Sequence, residues 1–221
     1  MITAQSSPAI NPPRRPPPAA LALAAASILT LVLLAHHPMA AHHAGDALLQ
    51  DLVRLGDSSA HVHGGIIALV CALLYGVIAL GLRLGLRRPA VAFGLAAYGF
   101  GCAAMTGAML LDGFVTAPLA RWLVSNPAPG GIASLALVAA SIQVLTKAGF
   151  TAMGLGIACL SWARPRSTPL LAALALPGGL LPILAALAMQ MQPHSLILLT
   201  GLQLLWYVAA AWHLWRAPLR D

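Results

Sequence analysis

The chain has 221 residues, of which 60% are hydrophobic and 8% charged, and its mean hydropathy is +0.86. A soluble domain carries about a quarter charged residues, so this chain cannot cover a closed surface facing water, and lipid supplies the missing environment. The net charge of +7 does not indicate nucleic acid as a partner, because the arginines are scattered through short loops without a basic stripe or stacking aromatics.

The first segment, 1–18, is proline-rich, with Pro12, Pro13, Pro16, Pro17 and Pro18 around Arg14 and Arg15. Proline removes backbone donors, so a disordered tail is expected. The apolar run 19–35 follows. It is longer than a signal-peptide core and lacks a small-x-small cleavage site before the histidines, so it reads as a retained first span.

A polar stretch, 36–63, interrupts the apolar pattern and holds six of the eight histidines: His36, His37, His42, His43, His61 and His63. Pro38 disfavours helix at His37. From Met39 to Leu55 an amphipathic helix is expected, with Leu48, Leu52 and Leu55 on one side. Gly56 reads as its stop, and Asp57, Ser58 or Ser59 as the cap of the next helix. His42 and His43 lie four and three residues before Asp46, spacings at which a carboxylate can orient an imidazole. His61 and His63 fall on different faces of any helix, so they share a ligand only where the chain is extended.

Five further spans are expected at 64–82, 90–111, 136–163, 170–189 and 195–215. Most are close to the ~20 residues that cross a ~30 Å hydrocarbon layer. The third carries Gly99, Ala103 and Gly107 at spacings of four, which read as a helix-packing face. The fourth is long enough to tilt or to begin at the interface. Lys147 lies inside it, flanked by Gln143 and Thr151, and either snorkels outward or pairs with Asp112 at the end of the third span. Pro177, Gly178, Gly179 and Pro182 predict a kink in the fifth. A short tail, 217–221, closes the chain.

Arginines 14, 15, 83, 87, 88, 164, 166, 216 and 220 fall in alternate loops, whereas the opposite loops carry only Arg54 and Arg121 beside Asp46, Asp51, Asp57 and Asp112. The positive-inside rule then makes both termini cytoplasmic. The expected fold is an all-α integral membrane protein, a bundle of six transmembrane helices in a bacterial-type inner membrane. Its expected partners are the lipid bilayer and a membrane-protein partner or second copy.

In that orientation seven histidines lie outside and only His213 inside, and Met39, Met189 and Met191 share the outer face. Imidazole suits zinc, copper and nickel, and thioether suits copper(I). This bias points to a transition metal handled at the outer face, with copper as the leading ion, zinc as the alternative and haem behind both. His61, His63 and His194, at span ends, are the first candidate ligands, with Asp112 as acidic partner. His36, His37, His42, His43, Met189 and Met191 form a second, capturing tier. Cys71, Cys102 and Cys159 sit singly in apolar segments and make neither a disulfide framework nor a zinc knuckle. No HExxH or other enzyme motif is present. A scaffold subunit without a site of its own, and a membrane haem or zinc enzyme, are the competing readings.

Overall fold

Pro18, Pro89, Pro169 and Pro193 each open a helix, at the one position where a missing N–H removes no intrahelical bond. The computed structural model describes residues 17–41, 44–127 and 130–216. Both terminal tails, and with them the expectation of disorder at 1–16, lie outside the described residues, as do His42 and His43. In chain order the helices are α1 (Pro18–Ala35), α2 (Gly45–Leu84), α3 (Pro89–Leu110), α4 (Thr116–Ser125), α5 (Gly131–Trp162), α6 (Pro169–Ala173), α7 (Leu181–Ala188) and α8 (Pro193–Arg216). Widened π turns join α3 to α4 at Leu111–Val115 and lead into α7 at Leu176–Leu180.

Five helices are long and apolar enough to cross a membrane: α1, α2, the continuous α3–α4 unit, α5 and α8. Large side chains such as Leu29, Phe100, Leu137 and Val144 are exposed along them, where a soluble protein would hide them. The chain is thus a helical membrane protein. The segment expected as the fifth span is broken into α6, a π turn and α7, with Leu176–Ala188 as a shorter apolar stretch. Pro182 would drive its ring into the carbonyl of Gly178 in a regular helix, and the wider turn avoids this.

One helix, α2, is far longer than the hydrocarbon layer requires. The 40 residues of α2 measure about 60 Å, twice the thickness of the apolar layer. The outer stretch expected as a loop is therefore helical from Gly45 onward, and Gly56 does not stop it. The reason is packing: Gly56 is buried, and a Cβ there would lie 2.9 Å from the Cβ of Ala117 in α4. The glycine lets α4 approach α2, and Ser58 bonds back to the Leu55 carbonyl at 2.9 Å rather than capping a new helix. Leu49 of α2 joins Ala120, Leu123 and Leu135 in a small core above the main bundle.

Of the expected small-residue face of α3, Gly107 alone meets α5, where an added Cβ would lie 3.4 Å from the Leu145 side chain. A Cβ on Gly99 would meet nothing within 4 Å, and Ala103 is exposed. Close approach is instead made by Gly94 against the Gly156 carbonyl and Gly101 against the Gly149 carbonyl, at 3.1 and 2.8 Å from an added Cβ. These two pairs are each seven residues apart, the repeat that returns to the same face of a packed helix. Deeper in the bundle Tyr98 and Tyr207 bond through their hydroxyls at 2.8 Å, and Trp206 donates to Ser161 at 2.7 Å.

The arginine loops gather at one end. Arg83 donates to the Leu214 carbonyl at 2.6 Å and Arg88 to that of Ala163 at 3.3 Å. Pro17, Arg83, Arg164 and His213 border one cavity there. His63 lies 21 residues before Leu84, about 32 Å along the helix from that end. Asp112 lies 23 residues beyond Pro89, about 35 Å along its own helix. Both therefore sit at the opposite rim of the hydrocarbon.

Candidate metal centre

Three side chains converge at that rim. His63 comes from α2, Asp112 from the π turn after α3, and His37 from the connection that follows α1. The Nε2 atoms of His37 and His63 are 3.1 Å apart, His63 Nε2 lies 3.1 Å from Asp112 Oδ2, and His37 Nε2 lies 3.8 Å from the same oxygen. Ligands about 2.1 Å from an ion stand about 3.0 Å apart at right angles and about 3.4 Å apart at tetrahedral angles. The triangle has the size of one face of a metal coordination shell.

Local sequence explains each placement. Pro118 would push its ring against the Phe114 carbonyl in a continuous α-helix. The chain widens to a π turn one step earlier, and the Leu111 carbonyl accepts from both the backbone N–H and the hydroxyl of Thr116, the latter at 3.0 Å. Such turns re-aim side chains inside helices and recur at functional sites. Gly113, in this turn, lets α2 come close: a Cβ there would lie 2.5 Å from the Cβ of His63. His63 is fully buried, and its Nδ1–H donates to the Ser59 carbonyl at 2.7 Å, with the Ser59 hydroxyl 3.2 Å away. That bond makes Nδ1 a donor and turns Nε2 toward the other two groups.

His37 is held by its own loop. Pro38 ends the helical run, and the Ala41 amide donates to Asp51 of α2 at 2.8 Å. Asp51 is itself buried and also accepts from Arg54 at 3.1 Å. The His37 and His63 rings meet edge to face, with centroids 4.8 Å apart. Burial, and then the neighbouring charge of His63, lower the His37 pKa from its usual 6.5, while Asp112 opposes the shift. A neutral imidazole with a free lone pair is the favoured form.

With His63 Nδ1 donating to Ser59, its Nε2 is an acceptor facing the acceptor oxygen of Asp112. The repulsion is removed by a proton on Nε2 or by a metal ion among the three atoms. The Asp112 side chain is 32% exposed and, with His37, opens into a cavity of about 180 Å³. Met109, Met191, Gln143 and Thr146 also line it. Gln143 clasps Met191 by both backbone groups, donating to its carbonyl at 2.8 Å and accepting from its amide at 2.9 Å.

Of the first candidate ligands, His63 and Asp112 thus meet, and His37 from the second tier joins them. His61 is exposed on another face of α2 and donates to its own Asp57 carbonyl at 2.6 Å. Because α2 is helical here, His61 and His63 do not converge. His194 is exposed in the first turn of α8, outside the cluster. His36 is exposed and bonds back to the Val32 carbonyl at 2.8 Å. Met191 is buried in the cavity wall, whereas Met189 packs against the core. Among the described residues Asp112 forms ion pairs with His37 and His63, and none with Lys147. The carboxylate turns toward the α1–α2 side, and the pair expected across α3 and α5 is not made.

Gly113, Ser59 and Asp51 were not legible as part of a site. The proline four residues after Phe114 marks the turn that carries Gly113, and no pattern marks Ser59 or Asp51. No protein-family model, curated protein or solved structure matches the chain.

Proposed function

We propose that this protein binds and handles a transition-metal ion at the outer mouth of a six-span bundle with both termini cytoplasmic, α6 and α7 together making the fifth crossing. The arginine-bearing loops at one end support that orientation under the positive-inside rule. His37, His63 and Asp112 are the ligands. The observation that carries the reading is the convergence of two imidazole nitrogens and a carboxylate oxygen with their lone pairs facing one another at 3.1–3.8 Å.

Two imidazoles and one carboxylate suit zinc(II) and copper(II) alike. The thioethers of Met109 and Met191 in the adjoining cavity wall favour copper as the physiological ion, because oxygen- and nitrogen-binding metals gain nothing from them. A zinc hydrolase would also keep one coordination position open toward a cavity. It would need a base to activate the bound water, and beyond the ligands the wall offers only Gln143 and Thr146 as polar side chains. Binding and transfer of the ion therefore fit better than hydrolysis.

The test is metal retention by the purified chain in detergent after dialysis against copper(II) or zinc(II). The wild type, His61→Ala and His194→Ala hold one ion per chain at the mouth, and His63→Ala and Asp112→Asn lose it. Equal metal content in wild type and His63→Ala sinks the proposal in favour of a scaffold with a protonated His–Asp pair.

A further inference from the structure

Below the mouth, inside the bundle, lies a second cavity of about 40 Å³. It shares Leu34, Met109 and Leu196 with the mouth cavity, so Met109 stands between the two. Met105 and Met153 also line it. Both are buried against glycines: a Cβ on Gly149 would meet the Met105 sulfur at 2.6 Å, and one on Gly101 the Met153 Cγ at 2.6 Å. The thioethers are thus wedged at the α3–α5 crossing rather than free to move.

On α3 the residues Asp112, Met109 and Met105 descend one face at spacings of three and four. Each step is about 4.5–6 Å along the axis. A soft ion leaving the carboxylate meets a thioether within one turn, and a second one turn lower.

One further polar group points to an occupant. Gln203, 2% exposed, lines the same cavity, and its Nε2 has no hydrogen-bond partner. Its Oε1 makes only a long bond, 3.4 Å, from the Tyr207 hydroxyl. Exchanging the two amide atoms lets the nitrogen donate to Tyr207, which in turn donates to Tyr98, and turns the amide oxygen into the cavity. Three methionines and the Gln203 amide then line the same small space, without an anionic side chain among the lining residues. A divalent ion buried there would lack any counter-charge. A soft monovalent ion gains from thioethers.

We propose that this inner cavity is a binding site for a soft monovalent cation of the copper(I) or silver(I) class, held by Met105, Met109 and Met153 with Gln203. It rests on the reading of the mouth as a metal site in one respect, that the mouth is the door to it. The inner site would make the protein a two-station carrier, with an imidazole–carboxylate station at the rim and a thioether station below.

Silver(I) and zinc(II) separate the two stations. With methyl-labelled methionine in the full chain in detergent, and Cys71, Cys102 and Cys159 replaced by alanine to remove the competing free thiols, silver(I) is expected to shift the Met105, Met109 and Met153 methyl resonances, saturating at one ion per chain. Met105→Leu/Met153→Leu removes that response, and the conserved volume preserves the fold. His63→Ala leaves the silver response intact and abolishes zinc(II) binding. If silver(I) leaves the three methyls unmoved, the cavity holds water or is merely filled by methionine, and the inner site is overturned whatever zinc(II) does. If zinc(II) binds His63→Ala as it binds the wild type, the mouth reading fails while the inner site stands on its silver response.

Discussion

Gly113 leaves the space into which His63 packs: a Cβ at Gly113 would sit 2.5 Å from the His63 Cβ and 2.9 Å from its Cγ. The imidazole therefore reaches Asp112 because the neighbouring position on the π turn has no side chain. Gly113→Ala is expected to push α2 and α3 apart and separate His63 from Asp112. Overpacking of this kind costs about 1–3 kcal/mol, which a helical membrane bundle can survive. Metal affinity should fall at least as far as for loss of an outer-shell partner, roughly 10–100-fold. Equilibrium dialysis of Gly113→Ala beside wild type measures it, and unchanged affinity would show that the glycine plays no part.

Asp51 acts at one remove from the metal. It holds the Ala41 amide and so sets the path of the segment that carries His37. Asp51→Asn keeps the size but weakens the charge-assisted bond. Its expected effect is a modest loss of affinity, smaller than that of His63→Ala, together with faster exchange of the Ala41 amide. An affinity loss as large as that of His63→Ala would instead place Asp51 in direct contact with the ion.

Protons compete with the ion for the same lone pairs. The His37 pKa is lowered by burial and by the His63 charge from its usual 6.5. A lowered value means that the folded site releases this proton more readily than a free imidazole would. On the account of His37, therefore, binding strength is fully present above pH 6.5 and declines only below it. Each proton displaced by the metal makes affinity fall by about tenfold per pH unit once that group is protonated. Zinc(II) retention measured from pH 7.5 to 5 should fall progressively as the His63 and His37 imidazoles take up protons. A flat profile over that range would exclude imidazole ligation.

Much of this was readable from the sequence, and the rest failed for identifiable reasons. Hydropathy located the apolar helices, and the arginine bias separated one end of the bundle from the other. His63 and Asp112 were legible as residues at span ends on the same side. The partnership of His37 was hidden because it depends on how a loop folds back, and Asp51, ten residues beyond Ala41, directs that fold. Gly56 reads as a helix stop because a buried glycine under a crossing helix looks identical in sequence to one that ends a helix. The same ambiguity affects α3, where Gly99 and Ala103 match the small-residue pattern as well as Gly94 and Gly101 do. Only the positions of Gly149 and Gly156 on α5 decide between them.

That last distinction is itself testable. At Gly101 an added side chain would stand 2.7 Å from the Met153 amide nitrogen and 2.8 Å from the Gly149 carbonyl. Both are backbone atoms of α5, which cannot rotate away. Gly101→Val should therefore destabilise the bundle toward the upper end of the overpacking range, about 3 kcal/mol, and lower the detergent melting temperature. Gly99 faces open space, where alanine is the better helix former by about 1 kcal/mol. Gly99→Ala should melt at the wild-type temperature or slightly above. If both substitutions destabilised equally, α3 would have to present its Gly99 face to another helix or to a second copy of the chain. The packing of α3 on α5 through Gly94, Gly101, Gly149 and Gly156 would then no longer account for how Met105 and Met153 are held.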